Sequence, residues 1–284
     1  MKPLARAVSS LGGLVIAASC SATPAQPASD ETGRPVAGDR GSGTAAGAQR
    51  RGQAMPARGD DRFSGYEFMS PAIQAMQRDD TQNPAFLWVR DGERRFARDC
   101  VACHDVAGLD GVAARYPAFD VATQRPVTLS GRIRQCHVER LRQPAPGWAG
   151  DTLLALEAFL AWRSRGRPIA PPDGDPRLAP FVAAGERLWR QRLGQLDLAC
   201  TDCHDTLAGR RLAGSTIPQA HPTGYPVYRL EWQSLGSLQR RLRGCLSGVR
   251  AEPFADGADE WIAIELFLRQ RAAGMRIDSP GVRP

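Results

Sequence analysis

The chain has 284 residues, of which 42% are hydrophobic, 24% charged and 7% aromatic, with 29 Gly and 22 Pro. That is enough for one large domain or two small ones with cores of their own, and the apolar fraction excludes disorder throughout. The net charge of +7 rests almost wholly on Arg, since Lys2 is the only lysine, and no Arg-rich run is interleaved with aromatics. No nucleic-acid partner is therefore expected, while an acidic partner or an anionic substrate stays open.

Residues 1–22 read as an export signal: Lys2 and Arg6 form a basic start, Leu11 to Ala18 a short apolar core, and small residues follow. The apolar run is too short to span a bilayer. Cys20, at the end of this signal, fits either a lipoprotein site, with a lipid anchor on the cysteine, or ordinary cleavage nearby. The expected location is the periplasm. Residues 23–60 have almost no large apolar side chains, so burial cannot offset their ordering entropy and a flexible linker is expected. The folded part should begin near Phe63.

Six further cysteines follow: Cys100, Cys103, Cys136, Cys200, Cys203 and Cys245. Export alone would suggest three disulfides. The spacing argues otherwise, because Cys100-Val101-Ala102-Cys103-His104 and Cys200-Thr201-Asp202-Cys203-His204 are both C-x-x-C-H. In this motif two thiols add to the haem vinyl groups and the adjacent His is placed to ligate iron. Zinc would need a further Cys or His pair per site, which the sequence does not supply. Two covalently bound c-type haems are expected.

The surroundings of the motifs repeat. Gly92-Glu93-Arg94 precedes the first and Gly185-Glu186-Arg187 the second. Leu129-Ser130-Gly131-Arg132-Ile133-Arg134-Gln135-Cys136 matches Leu238-Gln239-Arg240-Arg241-Leu242-Arg243-Gly244-Cys245. Leu153–Leu160 matches Trp261–Leu268, with apolar residues at helical spacing. The offsets are 100 residues at the haem motif, 109 at the cysteine segment and 108 at the last helix, so the second copy should carry a longer central loop. The expected fold is mainly α, a tandem pair of cytochrome c domains, each wrapped round one haem. The first should cover residues 61–171 and the second residues 172–284, with Pro168, Pro171, Pro172 and Pro176 marking the linker.

The second axial ligand sets the class of a cytochrome. None of the five Met lies between a haem motif and the end of its own loop, and Met69 and Met76 read as apolar packing. His137 and His221 could ligate, but they are not equivalent in the repeat. Cys136 and Cys245 are equivalent. They could form a disulfide tying the domains together, or ligate both irons as thiolates, which explains the duplication better. Arg241, Arg243 and Arg250 surround Cys245. They could pair with propionates and acidic loops, or lower the thiol pKa and bind an anion beside the sulfur. Arg241 lies four residues before Cys245, so if the segment is helical the two side chains share one face.

Several segments together resemble the SoxA family, the dihaem subunit of the SoxAX cytochrome of bacterial thiosulfate oxidation. They are Ser64–Ser70, Gln82–Ala85, both C-x-x-C-H motifs, Thr223–Gln233, and Arg240–Cys245 followed by Arg250–Pro253. The resemblance spans roughly residues 63–275. It implies an L-cysteine S-thiosulfotransferase that joins thiosulfate oxidatively to a cysteine of the carrier SoxYZ, with the electrons passed to c-type haem. It implies a persulfide intermediate on Cys245, substrate binding by Arg241, iron ligation by His104 and Cys136 in the first copy and by His204 and Cys245 in the second, and a heterodimer with a SoxX-type cytochrome c. The rival reading is a dihaem electron-transfer cytochrome without sulfur chemistry.

Overall fold

The computed structural model describes residues 61–171 and 175–284. The expected signal, Cys20 and the linker over 23–60 lie outside them. The fold is mainly α, with the same three-helix plan built twice. In the first copy α2 (Phe86–Asp99) leads into the haem motif, α3 (Leu129–Glu139) carries Cys136, and α4 (Asp151–Arg163) closes the unit. In the second copy α5 (Ala179–Arg190), α6 (Leu238–Gly248) and α7 (Asp259–Arg271) take the same parts. A short helix α1 (Pro71–Arg78) precedes them all.

The capping residues explain where the cysteine helices begin. The Thr128 hydroxyl accepts from the Gly131 amide at 3.0 Å, and the Ser237 hydroxyl accepts from the Arg240 amide at 3.2 Å. Each of these helices follows a small antiparallel ribbon. β1 (Ala118–Asp120) pairs with β2 (Arg125–Val127), and β5 (Val227–Arg229) pairs with β6 (Ser234–Gly236). The turns between them carry Gln124 and Gln233, both at positive φ. The 109-residue offset seen at the cysteines therefore extends back through the ribbons. The extra length in the second copy lies before its ribbon, where β3 (Arg211–Leu212) and β4 (Ser215–Thr216) form a hairpin absent from the first.

Each helix leading into a motif crosses the closing helix of its copy at a glycine. A Cβ on Gly92 would lie 2.0 Å from the Ala155 carbonyl oxygen and 2.8 Å from the Phe159 Cβ. A Cβ on Gly185 would lie 2.1 Å from the Ala263 carbonyl oxygen and 2.7 Å from the Phe267 Cβ. Backbone therefore packs on backbone at both crossings. Phe96 and Trp189, one turn further on, are buried against Phe159 and Phe267, with ring centroids 5.6 and 6.0 Å apart.

The copies are tied together by backbone. The segment after α4 pairs with the segment after α7: the Gly166 amide donates to the Ile277 carbonyl at 2.8 Å, and the Ile169 amide to the Met275 carbonyl at 2.8 Å. Ala113, Ala161, Ile169, Ala272 and Ile277 form a shared apolar cluster there. The chain's last strand, β7 (Gly281–Arg283), lies parallel to β5. Residues 62–85, counted with the first copy in sequence, run along the far end of the chain. Asn83 donates to the Pro280 carbonyl at 3.0 Å, and the Gln77 side chain accepts from the Val282 amide at 3.0 Å. Among the described residues, no helix is long and apolar enough to cross a membrane.

The crossings set a testable demand. Gly92→Ala and Gly185→Ala are each expected to destabilise the protein by about 1–3 kcal/mol, because a packed core must open to admit the methyl group. Gly214→Ala, which meets nothing within 4 Å, should change stability by less than about 0.5 kcal/mol. Denaturant midpoints of the three variants check this, and equal midpoints would dismiss the close crossing as a constraint.

Candidate functional site: two cysteine-lined clefts

Each copy holds one cleft, of about 230 Å³ in the first and about 130 Å³ in the second, partly open to solvent. The first is lined by Cys100, Cys103 and His104, by Cys136 on α3, and by the apolar Leu156 and Leu160 of α4. In the second, Cys200 and His204 face Cys245 and Arg241, both on α6. Cys203 lies in the wide helical turn Asp202–Thr206 and is electrostatically coupled to Cys245.

All six described cysteines are free, and Cys136 and Cys245 line different clefts, so the disulfide alternative is not formed. Burial pushes the Cys100 and Cys200 thiols up to about 11. It also raises Cys136. No group of three or more described His, Cys, Asp or Glu residues could hold a metal ion.

The donor set fits c-type haem. The His204 Nδ1 sits 2.7 Å from the Pro218 carbonyl oxygen. A carbonyl can only accept, so Nδ1 carries the hydrogen and Nε2 keeps its lone pair for a metal. Burial holds His204 below the ordinary histidine range, which favours the neutral ring that ligation requires. The ring stacks on Trp189 at 5.7 Å, and His104 lies 6.4 Å from Phe96. The aromatic one turn beyond each crossing glycine thus backs the motif histidine in both copies.

The arginines near Cys245 divide as helix geometry requires. Arg241 lines the cleft, whereas Arg243 turns away and pairs with Asp256. Arg250 is exposed just beyond the end of α6. His137 and His221 are both buried cleft residues, and their Nδ1 atoms meet the carbonyls of Ile133 and Phe63 at 3.0 and 2.9 Å.

The second cleft also contains residues that sequence reasoning did not assign. Tyr225, Arg229 and Arg283 line it, as do Gly65 and Met69. Met69, read from the sequence as apolar packing, lines the second cleft. Arg229 is 8% exposed, pairs with Glu231 at 2.9 Å, and has an Nε without a partner. Burial pulls both Arg229 and Arg283 below the usual guanidinium range. Three guanidiniums in a cleft this enclosed make it attractive to anions. Tyr225 and Arg229 fall inside the segment quoted above as Thr223–Gln233, so they had a signal. Arg283, brought in by β7, had none.

Comparison with known proteins places this arrangement. Residues 87–169 match the family model for the SoxA/TsdA cytochrome c domain, in which haem is attached covalently. The L-cysteine S-thiosulfotransferase subunit SoxA of Pseudaminobacter salicylatoxidans is 30% identical over 233 residues, covering 79% of this chain and 82% of that one. The same-named subunit of Rhodovulum sulfidophilum is 30% identical over 241 residues, covering 80% and 84%. The crystal structure of SoxXA from P. pantotrophus superposes with a TM-score of 0.75 at 27% identity, over 78% of this chain and 87% of that one. A duplicated cytochrome c fold with a cysteine facing each haem motif, matched along most of its length by these relatives, places the chain in the SoxA family.

Proposed function

We propose that the protein is the haem-bearing subunit of an L-cysteine S-thiosulfotransferase, with Cys245 as its reacting residue. The observation that carries this reading is the second cleft, where Cys245 and Arg241 on α6 face Cys200 and His204 across a space lined by further arginines. Cys100 and Cys103 would attach one haem and Cys200 and Cys203 the other. His104 with Cys136 would hold the iron of the first haem, and His204 with Cys245 that of the second. Haem bound there supplies acceptor capacity for single electrons.

The chain's own residues would do the rest. Thiosulfate is a dianion, and Arg241 holds it beside the sulfur of Cys245. A persulfide on Cys245 forms a sulfur–sulfur bond to the terminal sulfur of thiosulfate as two electrons leave. The thiolate of a carrier cysteine, deprotonated to solvent, then attacks that terminal sulfur. The carrier departs as the cysteine S-thiosulfonate and the Cys245 persulfide is restored. The net change is one carrier thiol and one thiosulfate converted to the conjugate, one proton and two electrons. The carrier would be of SoxYZ type. A SoxX-type cytochrome, in a heterodimer with this chain, would take the electrons onward; the similar structure from P. pantotrophus is of SoxXA.

Three outcomes are expected. Haem staining and mass should show two covalent haems per chain, falling to one in a Cys200→Ala/Cys203→Ala variant; a count unchanged by that variant would remove the second attachment site. Arg241→Ala leaves Cys245 and both motifs in place and removes one charge-assisted contact. It should lower kcat/KM for thiosulfate-dependent acceptor reduction by roughly 10- to 100-fold with haem spectra nearly unchanged. Arg243→Ala should do less, because its partner is Asp256. Wild-type kinetics in the Arg241 variant would move the substrate site elsewhere. Cys136→Met should shift the spectrum of the first haem and leave substantial turnover, and a loss as complete as that of Cys245→Ala would contradict this division of roles.

A further inference from the structure

One buried charged cluster belongs to neither ligand set. Glu157 on α4 and Glu265 on α7 occupy equivalent places in the repeat, and both line a narrow cavity between the two clefts. Ser130 on α3, Gln239 on α6, Arg269 on α7 and Tyr225 complete its polar wall. The cavity has room for about two water molecules. It is one side chain away from each cleft. Leu129 lines both the cavity and the first cleft, while Tyr225 and Leu238 line both the cavity and the second.

The polar atoms in this cavity are incompletely satisfied. One oxygen of Glu157 accepts from the Ser130 hydroxyl, but its Oε2 has no partner, nor do Gln239 Nε2 and Arg269 Nε. Gln239 and Arg269 are 7% and 8% exposed. Such atoms are costly to bury without a ligand, and a polar cavity of this size suits ordered water. The charges do not cancel either. One guanidinium faces two carboxylates, so the group is neutral only when one carboxylate holds a proton. Of the titratable groups facing the cavity, the fourth is the Tyr225 phenol, which burial keeps protonated.

We infer that Glu157, Glu265 and Arg269 form a buried proton site that takes up a proton from solvent when an adjoining cleft gains an electron. Burial raises Glu157 to about 7 and raises Glu265 as well, so it favours the protonated acid at both positions. An added electron in either cleft strengthens the hold on that proton through the low-dielectric interior between them. The balance is one electron from the reductant, one proton from water, and one carboxylate converted to the acid. During turnover this site would lessen the charge left in the protein core by the two electrons taken from thiosulfate.

The inference rests on the reading that each cleft holds a haem, so haem is counted first on the holoprotein; a count other than two breaks that reading and leaves the carboxyl pair to be tested by infrared spectroscopy. Potentiometric titration of the holoprotein should show haem midpoints that fall as pH rises through neutrality. E157Q should flatten this dependence and remove a protonated-carboxyl C=O band from the infrared spectrum, and E265Q should weaken both. Should E157Q fail to fold, reduction of the wild-type protein in weakly buffered solution with a pH-indicator dye gives the same answer through proton uptake. Midpoints independent of pH in the wild type, an unchanged slope in folded E157Q, or no proton uptake on reduction would overturn it.

Discussion

Two helices can approach until side chains keep them apart, and at Gly92 and Gly185 this chain has none to interpose. The crossing helices meet backbone to backbone, and everything around each cleft takes its position from that contact. It fixes the direction in which α2 and α5 end; the first haem motif follows α2 directly, and the second follows the end of α5 at Arg190 after the loop 191–199. It puts Phe96 and Trp189 one turn beyond the crossing, where each backs a motif histidine. It also leaves the closing helices α4 and α7 to furnish an apolar floor. The glycines are thus required by the geometry of close approach.

Duplication gave the two copies one scaffold, and their surroundings made them different. In the first copy Cys103 and His104 are exposed, and Arg132 in its cleft is partnered by Asp120 at 3.5 Å. In the second copy the equivalent residues are half-buried. The added hairpin, the turn at Gly65–Met69 and the final strand all close over the same cleft. Arg229, Arg241 and Arg283 line it together. The equivalent cysteines thus line unlike clefts, Cys136 with Arg132 and Arg140, and Cys245 with Arg229, Arg241 and Arg283.

The way the ends of the chain pack shows how the copies became one body. Residues 62–85 do not stay with the copy they precede in sequence. Gln77 and Asn83 satisfy backbone groups near the far terminus, and the Arg62 guanidinium donates to the carbonyls of Arg271 and Ala273. The apolar contacts at Ile169 and Ile277 seal the same junction. With the copies so joined, the repeat-equivalent carboxylates of α4 and α7 share one buried cavity instead of facing solvent.

Local pattern was enough for a large part of this. The haem motifs, the 3.6-residue periodicity of α4 and α7, and the face shared by Arg241 and Cys245 depend on residues close together in the chain. Covalent spacing and helical geometry dictate such features directly. The equivalence of Cys136 and Cys245 was legible for the same reason, because a duplication writes structure into sequence as a repeat. What the sequence alone did not reveal depends on contacts between residues far apart in it. Met69 and Arg283 reach the second cleft from opposite ends of the described chain, and Glu157 meets Glu265 only because the copies pack face to face. The choice between a disulfide and two separate cysteines was likewise settled by placement, since only the folded backbone puts Cys136 and Cys245 in different clefts. Periodicity and motif spacing carry no record of such distances; burial of apolar surface between the two copies decides them.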